Sequence, residues 1–113
     1  MLDVGSKLNE HLTMRNKKLL DFTFIVNFRG GTYCTQVQAG DVTKSILEWI
    51  EKIKKEQDQI QYLGDKIIDE LKKEAKDEDN EVVLLNGLKN TWYTQYSTRQ
   101  GVFHINIVQT DVK

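Results

Sequence analysis

The chain has 113 residues, 39% hydrophobic and 29% charged, which is typical of one globular domain and leaves no room for a second core. A formal charge of -1 excludes the broad basic field that non-specific nucleic-acid binding needs. One cysteine excludes an internal disulfide and a four-cysteine zinc site, and no apolar run reaches the ~18 residues of a membrane span. We therefore expect a cytoplasmic protein that takes no cofactor and binds neither nucleic acid nor membrane.

The first third of the chain predicts an N-terminal arm followed by a hairpin. Residues 1–19 are polar with loosely spaced leucines, which predicts a short helix or an arm, so we expect the single α+β domain to span residues 20–113. From Leu20 to Phe28 every second residue is large and apolar, the period of a strand: Phe22, Phe24, Val26 and Phe28. Arg29-Gly30-Gly31 predicts a turn, and residues 32–39 predict the returning strand.

The middle of the chain predicts two amphipathic helices. Asp41 is a suitable N-cap because its carboxylate can accept the unpaired amides of a first helical turn. Two apolar stripes at helical spacing follow, Val42, Ile46, Trp49, Ile50 and Ile53, then Ile60, Leu63, Ile67, Ile68, Leu71 and Ala75. Residues 41–79 carry eight basic and twelve acidic side chains, so the helices form the acidic part of the protein.

The last third returns to strand patterns. A short run at residues 82–85 precedes two alternating stretches, 90–97 and 102–109, which predict a second hairpin closed by residues 98–101. The order strand, strand, helix, helix, strand, strand predicts an α+β fold. We expect an antiparallel sheet of two hairpins with both helices packed on one face.

Catalytic and metal motifs are missing from the sequence. His104 suits proton transfer near neutral pH, and Cys34 suits nucleophilic chemistry, but neither has a recognisable partner. Asp65 and Asp69 lie four apart on one helical face without a third ligand at matching spacing. We therefore expect a non-enzymatic protein. A small-ligand or enzymatic pocket between sheet and helices, using His104, Cys34 or Tyr33, stays open as an alternative.

Two sets of residues are candidates for binding a protein partner. Aromatic side chains on the predicted sheet are of the kind that anchor protein interfaces: Trp92, Tyr93 and Tyr96. Acidic side chains on the helices would attract a basic partner: Glu48, Glu51, Asp58, Asp65 and Asp69.

About ninety residues of the chain resemble small bacterial α+β proteins. The segments that carry the resemblance are Thr32-Tyr33-Cys34-Thr35-Gln36-Val37, the stretch from Asp41 to Trp49, Asn90-Thr91-Trp92 and Ile105-Asn106-Ile107-Val108. Some of these families resemble the immunity proteins that accompany secreted or contact-delivered toxins. The resemblance implies a module that neutralises a basic toxin domain by occluding it. A self-associating structural domain, such as a homodimer, is the remaining alternative.

Overall fold

The computed structural model describes residues 19–110, which form an α+β domain with a five-stranded antiparallel sheet and two helices. The predicted arm at residues 1–19 lies outside the described residues except for Leu19. In chain order the elements are β1 (Leu20–Phe28), β2 (Gly31–Ala39), α1 (Val42–Lys55), α2 (Asp65–Lys76), β3 (Val83–Leu84), β4 (Thr91–Thr98) and β5 (Gly101–Gln109). The α+β fold class predicted from the sequence is confirmed.

The two hairpins lie side by side in the sheet. The strand order is β2, β1, β5, β4, β3, so β1 and β5 join the hairpins and β5 lies at the centre. The prediction of four strands is wrong in number, because the short run before the second hairpin pairs with β4, with Val83 opposite Tyr93. A strand of two residues is too short to show the period of 2 by which a sequence reveals strands.

The turn between β1 and β2 is tighter than the sequence indicated. Phe28 pairs with Gly31, so the loop contains only Arg29 and Gly30, both with positive φ, 51° and 82°. Positive φ at both central residues defines the turn that matches the twist of a two-residue hairpin. The strained Arg29 is held by a hydrogen bond from its guanidinium to the Gln100 carbonyl oxygen at 2.9 Å and by stacking over the Tyr62 ring at 3.8 Å.

Helix α1 forms where its apolar stripe predicts it, and α2 forms over the later part of the second stripe. The Asp41 carboxylate accepts a hydrogen bond from the Lys44 backbone N–H at 2.8 Å, which confirms the predicted N-cap of α1. The second apolar stripe begins before its helix, because Gly64 has a φ of 109° and α2 starts only at Asp65. Ile60 and Leu63 still pack on the core from the connection.

The core lies between the helices and one face of the sheet. Trp49 of α1 stacks on Phe24 of β1 with 5.3 Å between ring centroids, and Phe28 stacks on Phe103 of β5 at 3.9 Å. All four rings are buried. Large aromatic side chains in such contacts contribute burial and an additional ~1 kcal/mol per ring pair. The Trp49–Phe24 pair therefore holds helix α1 against the sheet, and the Phe28–Phe103 pair joins two neighbouring strands.

Candidate groove beside the free edge of the sheet

Strand β2 has an unpaired side. Within residues 19–110, no strand pairs with β2 on the side away from β1. Backbone groups in an antiparallel strand point alternately to its two neighbours. The Thr110 backbone N–H donates to the Asp21 carbonyl oxygen at 2.8 Å. The backbone N–H and C=O groups of Asp21, and of every second residue after it in β1, therefore point to β5 rather than to β2.

The register then identifies the outward backbone groups of β2. The β1 residues that face β5 lie opposite four alternate residues of β2, whose N–H and C=O groups therefore point away from the sheet: Thr32, Cys34, Gln36 and Gln38. We refer to these four residues as the free edge. Such an edge is a template on which another extended chain can pair by main-chain hydrogen bonds.

A groove runs between the free edge and helix α1. Its larger part has a volume of about 680 Å³, and an adjoining part has about 450 Å³. The two parts share Gln36, Lys52 and Glu56, so they form one continuous surface, which we call the edge groove. Its length and its backbone wall suit an extended segment better than a compact small molecule.

The edge groove is acidic on balance. Its larger part is lined by four carboxylates and two ammonium groups: Asp21, Glu48, Glu51, Glu56, Lys52 and Lys55. One of the carboxylates is already paired, because Lys72 of α2 lies 3.3 Å from Glu51. All of these groups are exposed or half-exposed, so water and salt screen them, and they would act mainly on the rate of encounter with a charged partner.

Lys52 covers part of the free edge. Its ammonium group donates a hydrogen bond to the Gln36 carbonyl oxygen at 2.8 Å, one of the acceptors that a docking strand would use. Lysine beside an edge strand is a common device against unwanted strand pairing. Because Lys52 is exposed and its stem is flexible, an incoming backbone N–H can displace it at small cost.

The structure divides the predicted acidic set. Glu48 and Glu51 of α1 line the edge groove. Asp58 lies in the short 3-10 turn Gln57–Gln59, and the two aspartates of α2, Asp65 and Asp69, are exposed elsewhere on the helical layer. The first pair is therefore the part of the set that lies in the edge groove.

The aromatic set is also divided, because β4 alternates between the two faces of the sheet. Tyr93 lies on the face away from the helices, where its hydroxyl is 2.8 Å from His104 Nδ1. Trp92 is half-buried on the helix side against Phe22, and Tyr96 is buried in the core with 1% of its surface exposed. Of the three aromatic residues, Trp92 and Tyr93 therefore keep surface that a partner can contact, and Tyr96 is enclosed in the core of this structure.

The residues considered for chemistry do not meet in one place. His104 and Cys34 lie on the face away from the helices, whereas Tyr33 lies on the helix face and packs against the core. A cavity of about 400 Å³ contains none of the three. Half of its lining is apolar, from the start of α1 and from Ala75, Val82 and Tyr96, and the other half is polar and comes mainly from the end of α2 and the loop that follows it. Residues 19–110 hold no cluster of three metal-binding side chains.

Sequence reasoning missed most of the groove, including the three residues that its two parts share, Gln36, Lys52 and Glu56. The position of β2 at the edge of the sheet is what makes them neighbours, and the strand order is not encoded in any local pattern.

Comparisons with known proteins do not assign the chain to a family. No model of a known family, no curated protein and no solved structure matched the chain. Among the described residues, neither helix has the length and apolar character needed to cross a membrane.

Proposed function

We propose that this protein is a non-enzymatic binding module that takes up an extended, basic segment of a partner protein along the free edge of β2. The observation that carries the proposal is the row of outward backbone groups beside an acidic groove. Main-chain pairing with the free edge would supply affinity for any extended segment. Glu48, Glu51 and Glu56 would favour segments rich in lysine and arginine.

We propose that the biological role of this binding is to neutralise a toxin. An immunity protein acts by covering the working surface of its toxin, and many nucleic-acid-cleaving toxins are basic because their substrate is anionic. A protein that pairs with a basic strand or loop of such a toxin would occlude it without chemistry of its own. The resemblance of the chain to small immunity proteins supports this role.

A selection experiment tests the binding site directly. The full chain is used as bait for a displayed library of random extended peptides, and the selected peptides are measured against two variants, Gln36→Pro and Gln36→Ala. Proline removes the outward N–H of Gln36 and places its ring on the free edge, where no sheet hydrogen bond is lost. Alanine keeps the N–H and serves as the matched control.

We expect the selected peptides to be enriched in lysine and arginine. They should bind the wild type and Gln36→Ala equally and bind Gln36→Pro at least about tenfold more weakly, which corresponds to the loss of one main-chain hydrogen bond and added steric conflict. Peptides that bind all three proteins equally would contradict the proposed site.

The role is tested with the same variants. A partner captured from the lysate of the source organism on wild type and Gln36→Ala, and lost on Gln36→Pro, would be expressed alone and together with this protein. Toxicity that co-expression removes would support the immunity role, and a harmless partner would contradict it.

A further inference from the structure

The sheet face away from the helices, which we call the open face, carries almost no charge. Alternate residues of the four long strands make up this face: Asp21, Thr23, Ile25, Asn27, Thr32, Cys34, Gln36, Gln38, Thr91, Tyr93, Gln95, Ser97, Val102, His104, Asn106 and Val108. Asp21, at the end of β1, is the one Asp, Glu, Lys or Arg side chain of these strands, and His104 is their one histidine. The cores of protein interfaces are depleted of charge in the same way.

The polar groups of the open face are largely paired with one another. Gln36 donates to the Thr23 hydroxyl at 2.9 Å, the Thr32 hydroxyl donates to the Asn27 amide oxygen at 2.7 Å, and Tyr93 contacts both Gln95 and His104. Side chains that already satisfy each other lose less freedom and fewer water contacts when they are covered. The face is therefore prepared to pack against another surface.

Size and charge indicate what that surface is. Four strands at ~4.8 Å spacing and about nine residues at ~3.4 Å each give a face of roughly 600 Å², the lower bound of what a specific interface buries per partner. In a twofold interface every patch meets its own copy, so a charged face would repel itself. The helical layer carries many carboxylates and would repel its own copy. The open face carries almost no charge and would not.

We propose that two copies of this chain pack face to face through their open faces, giving a dimer with the helical layers outside. Sheets packed in this way interdigitate about 10 Å apart, and Ile25, Val102 and Val108 would supply the apolar contacts. The proposal does not rest on strand docking, because the outward backbone groups of the free edge point sideways in the plane of the sheet, whereas the dimer would cover side chains that stand on the open face.

Sedimentation of the full chain over a wide concentration range tests the dimer. We expect a dimer for the wild type and an association constant at least about 100-fold lower for Asn106→Lys, because Asn106 is on the central strand and the two copies would bring like charges together. Ile25→Lys, at a more exposed neighbouring site, is the second variant and should act in the same direction. The unfolding midpoint and circular dichroism of each variant confirm that it folds.

Two controls make the result specific. Thr43→Lys adds the same charge to an exposed position of α1 and should leave the dimer intact. Gln36→Pro and Gln36→Ala remove the same open-face side chain and differ only in the backbone N–H and the ring at the free edge, so they should affect the dimer equally. A wild type that stays monomeric at millimolar concentration would overturn the proposal, and so would a dimer that survives both open-face variants or that Gln36→Pro disrupts and Gln36→Ala does not.

Discussion

The Lys52 ammonium group donates to the Gln36 carbonyl oxygen at 2.8 Å and so ties helix α1 to the outermost strand of the sheet. This contact has two consequences. It satisfies an outward acceptor of the free edge in the unbound protein, and it places the cation where a docking strand must displace it. In the proposed function, Lys52 protects the free edge from indiscriminate pairing, and only a strand that displaces it can dock.

Removing this protection should strengthen strand docking. In Lys52→Met the apolar stem remains and the Gln36 acceptor is free, so we expect the affinity for a selected peptide to rise about threefold to tenfold, the equivalent of one exposed hydrogen bond. Calorimetric titration measures the change. Lys54→Met, which removes an exposed lysine from another part of the same helix, is the control and should leave the affinity unchanged. A weaker affinity for Lys52→Met would mean that the lysine contacts the partner instead.

The two acidic pairs on the helices should differ in their effect on a basic peptide. The double variant Glu48→Lys with Glu51→Lys reverses charge beside the edge groove, and Asp65→Lys with Asp69→Lys makes the same change on α2. We expect the first variant to weaken binding at least about tenfold at ~0.1 M salt and the second to have a much smaller effect, because screening at this ionic strength weakens interactions beyond ~10 Å. Equal effects of the two variants in stopped-flow and equilibrium measurements would assign the attraction to overall charge.

Tyr96 should make the fold sensitive to alkali. Burial, with a smaller contribution from the Glu74 carboxylate, raises the pKa of Tyr96 from 10.0 to about 12. Because the folded pKa is the higher one, its contribution to stability is complete below pH 10.0 and is lost as the pH rises to about 12. Urea unfolding of wild type and Tyr96→Phe over this range should show a steeper loss for the wild type. Parallel curves would show that Tyr96 does not control this transition.

Glu70 should show the opposite dependence at acid pH. The hydrogen bond from the Arg99 backbone N–H, at 2.8 Å, lowers the pKa of Glu70 below 4.5, and the Arg99 guanidinium and Lys73 add to the effect. A lowered folded pKa gives stability that is complete above pH 4.5 and disappears as the pH falls through the folded value. The unfolding midpoint of Glu70→Gln should lie below that of the wild type at neutral pH, and the two should converge in acid. A difference that persists unchanged in acid would contradict this role.

The sequence predicts the local structure of this protein better than its site. Strand β1, the Asp41 cap and the stripe on α1 follow from patterns within about ten residues. Which side chains of β4 point to the core does not follow from a local pattern. Tyr93 and Tyr96 are both aromatic, and only the pairing of Tyr96 with Phe103 assigns Tyr96 to the core. The edge groove likewise depends on which strand lies outermost, a long-range property that no local period contains.

Amide hydrogen exchange in β2 tests strand docking most directly. In the free protein, the amides of Tyr33, Thr35 and Val37 point to β1 and should exchange slowly, and those of the free edge should exchange fast. Addition of a selected basic peptide should slow the exchange of the free-edge amides, which belong to every second residue of β2. The exchange of the amides between them should stay unchanged. The account predicts this alternation, with a weaker effect in Gln36→Pro. Binding that leaves the free-edge amides fast would contradict it.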